Sequence, residues 1–246
     1  MIPKKIHYVW LGGKPLPEDA QDCINTWKKV LHDYEIVCWD ETKFDINSVP
    51  FVKEAIESKK WAFAADYIRL YAVFTQGGVY MDTDVIVKKS FDKFLKHNFF
   101  TAVETNDPKK SNTLGGGSKE ESRKYLIQSA LFGAVAGNSY IKDCMDWYKD
   151  KHFILPDGSL FNQYVAPDIY AEVAEKYGFQ KKDEFQDLGN EMVIYPSIVF
   201  TNDRYNPTEE TYAIHWWKGT WRDKNLFRTI LSFFSRQVFL RRAFGK

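Results

Sequence analysis

The chain reads as an α/β domain built on a mainly parallel sheet, and three observations carry that reading. Its first forty residues alternate strand-like, helix-like and strand-like runs. A long, mostly apolar helical stretch, Trp61 to Gln76, then breaks at Gly77-Gly78 into another strand-like run. With 246 residues, 44% apolar and 17% aromatic, the composition supplies one large core, alone or with small additions. Sheets of this kind gather their ligands at the carboxyl ends of the strands.

Taken in order, Lys5 to Trp10 is β-rich and stops at Leu11-Gly12-Gly13, a natural strand end. Pro17 to Leu31 predicts a helix, with proline and acids in the first turn and Lys28-Lys29 near the end. Tyr34 to Trp39 returns as a strand and completes a βαβ unit. Phe51 to Lys60 and Trp61 to Gln76 predict two helices, and Val79 to Val87 a strand that is apolar except at its carboxylate centre. Thr105 to Glu121 is polar and glycine-rich and reads as a mobile loop. Apolar Ala130 to Val135 leads to a helix around Tyr140 to Lys149, and another fits Ile169 to Tyr177. Met192 to Val199 and Tyr212 to Trp217 read as late strands.

The formal net charge of +1 argues against a dedicated nucleic-acid binder. Three widely spaced cysteines (Cys23, Cys38 and Cys144) without a CxxC suit a reduced, cytoplasmic compartment. The N-terminus shows no signal peptide, and no run approaches a membrane span.

The chemistry concentrates around residue 80. Asp82 and Asp84 flank Thr83, with Tyr80 just before them. On a strand, alternate side chains share a face, so the two carboxylates would point the same way with Tyr80. Paired carboxylates repel, and burying either is costly unless a cation or proton neutralises it. A divalent metal solves that problem, and hard oxygen ligands favour Mn²⁺ or Mg²⁺. A lone DxD is common, and its plainer reading is an exposed strand end or turn. Asp66 and Arg69, three apart, share one helix face. A surface ion pair is the plainer reading, but apolar Phe63, Ala64, Ala65, Ile68 and Leu70 around them predict burial, and buried charges need partners.

Several ordered blocks resemble glycosyltransferase family 32: Ile2 to Trp10, Ala64 to Tyr71, Gly77 to Asp84, and a late Ala213 to Trp221 block similar to the family's His-x-x-x-Ser-Trp ending. That family holds capsular-polysaccharide transferases and relatives of the yeast initiating α-1,6-mannosyltransferase, and its core is similar to that of large clostridial glucosylating toxins. The resemblance implies a GT-A fold, a Rossmann-like nucleotide-binding sheet flanked by helices, over 1–223. It implies a retaining, metal-dependent transfer of a hexose from a nucleoside-diphosphate sugar to a saccharide. Asp66 and Arg69 would bind donor sugar hydroxyls or phosphate, Asp82 the ribose, sugar or metal, and Asp84 the metal. Tyr80 would lie beside them in the nucleotide-sugar site. Trp10 would stack on the base, and His215 would return as a third metal or diphosphate ligand. Thr220 stands where the family commonly has Ser and would meet the diphosphate, while Trp221 would close over the β-phosphate. His7 would be structural. Asp157, Asn162 and Gln163 fall in a polar loop assigned to the acceptor side, and Pro167 is architectural. UDP-hexose is the favoured donor, with GDP-mannose next.

Residues 224–246 carry six cations and no acid, and their pattern predicts a basic amphipathic helix. Such a helix can lie on an anionic membrane surface, which would suit a lipid-linked acceptor of surface-polysaccharide synthesis and a place on the inner face of the membrane. Packing on the domain or on another copy is the plainer role. Competing classes are a phosphohydrolase or nucleotidyltransferase, which would need further acids or a phosphate-binding Gly-Lys motif, and a non-catalytic sugar-binding or membrane adaptor. The first lacks its motifs here, and the intact acidic set argues against the second.

Overall fold

A computed structural model describes residues 1–105, 123–161, 164–203 and 206–216. The elements are β1 (Lys5–Val9), α1 (Glu18–Val30), β2 (Glu35–Trp39), α2 (Pro50–Glu57), α3 (Trp61–Gln76), β3 (Gly78–Met81) and β4 (Val85–Val87). There follow β5 (Phe99–Thr105), β6 (Tyr125–Ile127), β7 (Leu131–Ala134), α4 (Ser139–Asp146), α5 (Ala166–Glu175), β8 (Gln186–Asp187), β9 (Met192–Tyr195), β10 (Phe200–Thr201) and β11 (Ala213–His215). The fold is the expected α/β type, a central sheet flanked by helices.

Eight strands form the main sheet in the order β2-β1-β3-β7-β5-β9-β8, with β6 on β5. The sheet is mixed rather than mainly parallel: β7 runs against both β3 and β5, and β8 runs against β9. β6 and β7 lie end to end along β5 and run the same way, each antiparallel to it, with only residues 128–130 between them. β8 and β9 are joined by the short stretch 188–191, and so short a return allows only an antiparallel pair, since parallel ones need a long crossover. β1, β2, β3, β5 and β9 still point one way, so their carboxyl ends share an edge.

Alternation along the strands divides the core into two layers. Tyr80, Phe99, Val103 and Phe132 pack with α2 to α5 on one face. Val79, Met81, Phe100 and Ala102 pack on the other with Ile24, Trp27 and Leu31 around α1. A three-stranded sheet, β10-β11-β4, covers this second face. The expected strand Val79 to Val87 is therefore two strands in two sheets, and Asp82 to Asp84 form the turn between them.

Two bonds join α1 to β4 just after that turn. Trp27 Nε1 donates to the Val85 carbonyl at 2.7 Å, and the Val87 N–H donates to Thr26 Oγ1 at 3.0 Å. His7 has the expected structural role: fully buried in β1, it accepts from Trp39 Nε1 through Nδ1 (3.0 Å) and so donates through Nε2 to the Gly77 carbonyl (2.8 Å). Burial lowers its pKa to about 4, which keeps the ring neutral in that role. Pro167 lies in the first turn of α5. All three cysteines are free. Among the described residues no helix is long and apolar enough to cross a membrane.

The Gly77-Gly78 break is sterically required. Gly77 ends α3 at φ +64°, and Gly78 follows at φ +115°. A Cβ on Gly78 would stand 2.6 Å from the Lys5 carbonyl oxygen. We expect Gly78→Ala to cost about 2 kcal/mol or more, from strain and overpacking together. Urea unfolding measures this; a midpoint equal to the parent's would refute the steric account.

Candidate metal centre at the carboxyl edge of the sheet

Helix α3 brings the first pair. Asp66 and Arg69 lie on one face, and Arg69 is 5% exposed. One of its terminal nitrogens meets Asp66 Oδ1 at 2.9 Å and Asp82 Oδ1 at 3.5 Å. Its other terminal nitrogen donates to the Ser129 carbonyl at 2.9 Å, and its Nε to Ala65 at 3.2 Å. The Tyr80 ring lies 4.8 Å from the guanidinium carbon. Arg69 spends most of its donors on the protein, so its first effect is to fix two carboxylates. Tyr80 is itself buried, and its hydroxyl donates to Asp82 Oδ1 at 2.6 Å.

The turn at 82–84 is held through its backbone. Asp82 N–H donates to Ala130, Val85 N–H to Asp82, and Trp216 N–H to Asp84, at 2.9, 3.0 and 2.9 Å. The break between β6 and β7 supplies two of the carbonyls used here, Ser129 for Arg69 and Ala130 for Asp82. Antiparallel pairing of β11 with β4 sets His215 opposite Val85, next to the turn. His215 Nε2 then lies 3.3 Å from Asp84 Oδ1 and 4.0 Å from Asp82 Oδ2. One ligand atom from each of Asp82, Asp84 and His215 falls within 4.8 Å of the others. The two carboxylates converge because of a turn, not because of strand alternation. Two carboxylate oxygens and one imidazole suit a divalent ion such as Mn²⁺.

Trp10 follows β1 at the same edge, half-buried, and its Nε1 donates to the Lys14 carbonyl at 2.5 Å. Asp157 is exposed and accepts from Ser159 within its own turn. Thr220, Trp221, Asn162, Gln163 and the 224–246 segment lie outside the described residues.

Sequence reasoning missed Glu104, at the carboxyl end of β5. It is half-buried and within electrostatic reach of His215, Asp82, Asp168 and Arg69. An acid closing an otherwise apolar run, Phe99 to Val103, was the available signal.

Burial raises the Asp66 carboxyl to about 7, against the pull of Arg69, and raises Glu104 to about 7. At His215 burial disfavours the charged ring, but Asp84, with help from Asp82 and Glu104, outweighs it and raises the pKa to about 9. In the metal-free protein a proton on His215 thus takes the place of a cation.

Three comparisons with known proteins find similar chains. The family model described as a glycosyltransferase sugar-binding region containing a DXD motif matches residues 17–101, a span that holds Asp66, Arg69, Tyr80, Asp82 and Asp84. Subversion of eukaryotic traffic protein A of Legionella pneumophila is 21% identical over 247 residues, covering 87% of this chain and 34% of that protein. An uncharacterized glycosyltransferase of Acanthamoeba polyphaga mimivirus is 27% identical over 106 residues, 41% of this chain and 42% of that one. The chain thus spans only about a third to two fifths of the length of these curated relatives. Among solved structures, the PaToxG glycosyltransferase is similar with a TM-score of 0.47 and 19% identity, over 71% of this chain and 69% of that one.

The three shifted groups act in the same direction on stability. The folded state holds protons on Asp66 and Glu104 that the unfolded chain releases from about pH 4, and holds the His215 proton that the unfolded chain releases near pH 6.5. Their contribution therefore falls as pH rises, through about 7 for the acids and about 9 for His215. In EDTA, the melting temperature is expected to drop from about pH 6.5, above the range in which His7 acts the other way, to about pH 9, and added Mn²⁺ to recover more of it at the alkaline end. A melting temperature that climbs across this range in EDTA would contradict the assignment.

Proposed function

We propose that the protein transfers a hexose from a nucleoside-diphosphate sugar to a saccharide acceptor, with a divalent metal at Asp82, Asp84 and His215. The observation that carries this reading is the convergence of those three side chains beside the buried Asp66–Arg69 pair, at the carboxyl edge of the sheet. The DXD-containing sugar-binding region matched over 17–101 supports it. Bound there, the metal would neutralise the diphosphate as it leaves.

The protein's own residues have separable tasks. Arg69 holds Asp82 in place and, with Asp66, offers a fixed polar face to donor hydroxyls. Trp10 is assigned to the base. Thr220 and Trp221 are assigned to the diphosphate on the family resemblance alone, and Arg69 and Lys218 would add positive charge near it. Transfer is proposed to retain configuration: the anomeric C–O bond to the diphosphate breaks, and the acceptor oxygen bonds to the same face of that carbon. The acceptor's proton passes to the departing phosphate oxygen.

UDP-hexose is the proposed donor, Mn²⁺ the proposed ion, and a lipid-linked saccharide of surface-polysaccharide synthesis the proposed acceptor. In that setting 1–223 form the catalytic unit, and 224–246 a basic helix docking on the inner face of the membrane.

The test is hydrolysis of a panel of UDP- and GDP-sugars with Mn²⁺, read beside thermal shift. One donor is expected to be cleaved slowly without acceptor. Asp84→Asn should lower that rate by roughly a hundredfold or more and blunt the Mn²⁺-dependent rise in melting temperature. Asp84→Asn with undiminished activity, or a parent protein that neither binds nor cleaves any donor, would overturn the reading.

A further inference from the structure

The cations around the centre already have partners. His215 faces Asp84, Arg69 faces Asp66 and Asp82, and Arg123 meets Asp168 at 2.5 Å. Asp168 also accepts from the Val165 N–H at the start of α5. Glu104 stands apart. Among the described residues its carboxylate accepts no hydrogen bond and joins no ion pair, although it is half-buried among charged groups. A carboxylate left so is destabilising, and one kept only for the fold would be paired.

Its direction follows from β5. Glu104 lies opposite Leu126 of β6, and alternation sets it on the face of Phe100 and Ala102. Phe100 packs on Phe200 of β10 with centroids 5.9 Å apart, and β10 is the neighbour of β11, which carries His215. Just beyond β10, Asn202 Nδ2 donates to the Thr105 carbonyl at 3.4 Å. The carboxylate is thereby turned toward the centre, on the side of the sheet that the small sheet covers.

Charge decides what such a group can do there. Beside the diphosphate a further negative charge would repel the leaving group. Beside the sugar it would favour the positive charge that grows on the ring as the anomeric bond breaks. We infer that Glu104 is a catalytic residue that faces the transferred sugar and stabilises its developing positive charge through space. It forms no bond to the sugar and takes no proton. The inference rests on the glycosyl-transfer reading above.

Glu104→Gln tests it, because the amide keeps the shape and removes the charge. The full chain is assayed with Mn²⁺ and a panel of UDP-hexoses for donor hydrolysis, and calorimetry follows Mn²⁺ and UDP binding. Glu104→Gln is expected to lower kcat by on the order of a hundredfold, with UDP and Mn²⁺ affinity within about twofold of the parent. Above about pH 7, where Glu104 is ionised, its melting temperature should match or exceed the parent's, since an unpaired charge is gone. Glu104→Asp should keep more activity than Glu104→Gln. An active parent with an equally active Glu104→Gln overturns the role and leaves the glycosyl-transfer reading intact. Loss of UDP binding together with kcat overturns it in favour of a structural group. A glycosyl ester trapped on Glu104 overturns the through-space role, and a parent that binds no UDP and cleaves no donor overturns both readings.

Discussion

The guanidinium of Arg69 is the interaction on which the site depends. It is almost fully buried, and a buried cation needs counter-charge and hydrogen-bond acceptors. Asp82, and Asp66 once it ionises near pH 7, supply the charge, Ser129 and Ala65 the carbonyls, and Tyr80 an aromatic face. These partners come from a helix, a strand, the turn that follows it, and an interruption between two further strands. Removing any one would leave a charge or a donor unsatisfied in the interior, so the parts are mutually constraining.

That constraint accounts for irregularities that would otherwise look like defects. The β6–β7 break gives up ladder pairing at 128–130, yet it frees Ser129 and Ala130 to hold Arg69 and Asp82. Likewise the chain leaves the main sheet at Asp82 and enters the small sheet at Val85. The turn is fastened through its own backbone, from the break before β7 and from the residue after β11. Carboxylates held close against their mutual repulsion need this kind of scaffold, because the surrounding structure must supply the energy that keeps them together.

Much of this was legible in the chain. Helix α3 could be bounded closely because Gly77-Gly78 ends it at a point where no side chain fits. The Asp66–Arg69 pairing followed from spacing, and its burial from the apolar neighbours. The turn at 82–84 was not legible, since Val79 to Val87 is nearly continuous in apolar character, and only tertiary pairing shows that its halves join different sheets. β5 went unread for a related reason: a strand buried on both faces lacks alternation, so its final glutamate carries no periodic signal. The place of His215 came from a resemblance between blocks, not from spacing, because β11 reaches the site only through pairing with β4.

That last pairing bears on biosynthesis. β11 is the final strand of the described fold, yet it supplies one of three clustered side chains and caps the turn that carries the other two. A nascent polypeptide emerging from the ribosome can complete its βαβ beginning and α3 long before His215 has been made. Through that interval Asp82 and Asp84 lack their imidazole partner and the clamp from Trp216. If the cluster binds a cation as proposed, affinity for it would thus arise only late in synthesis.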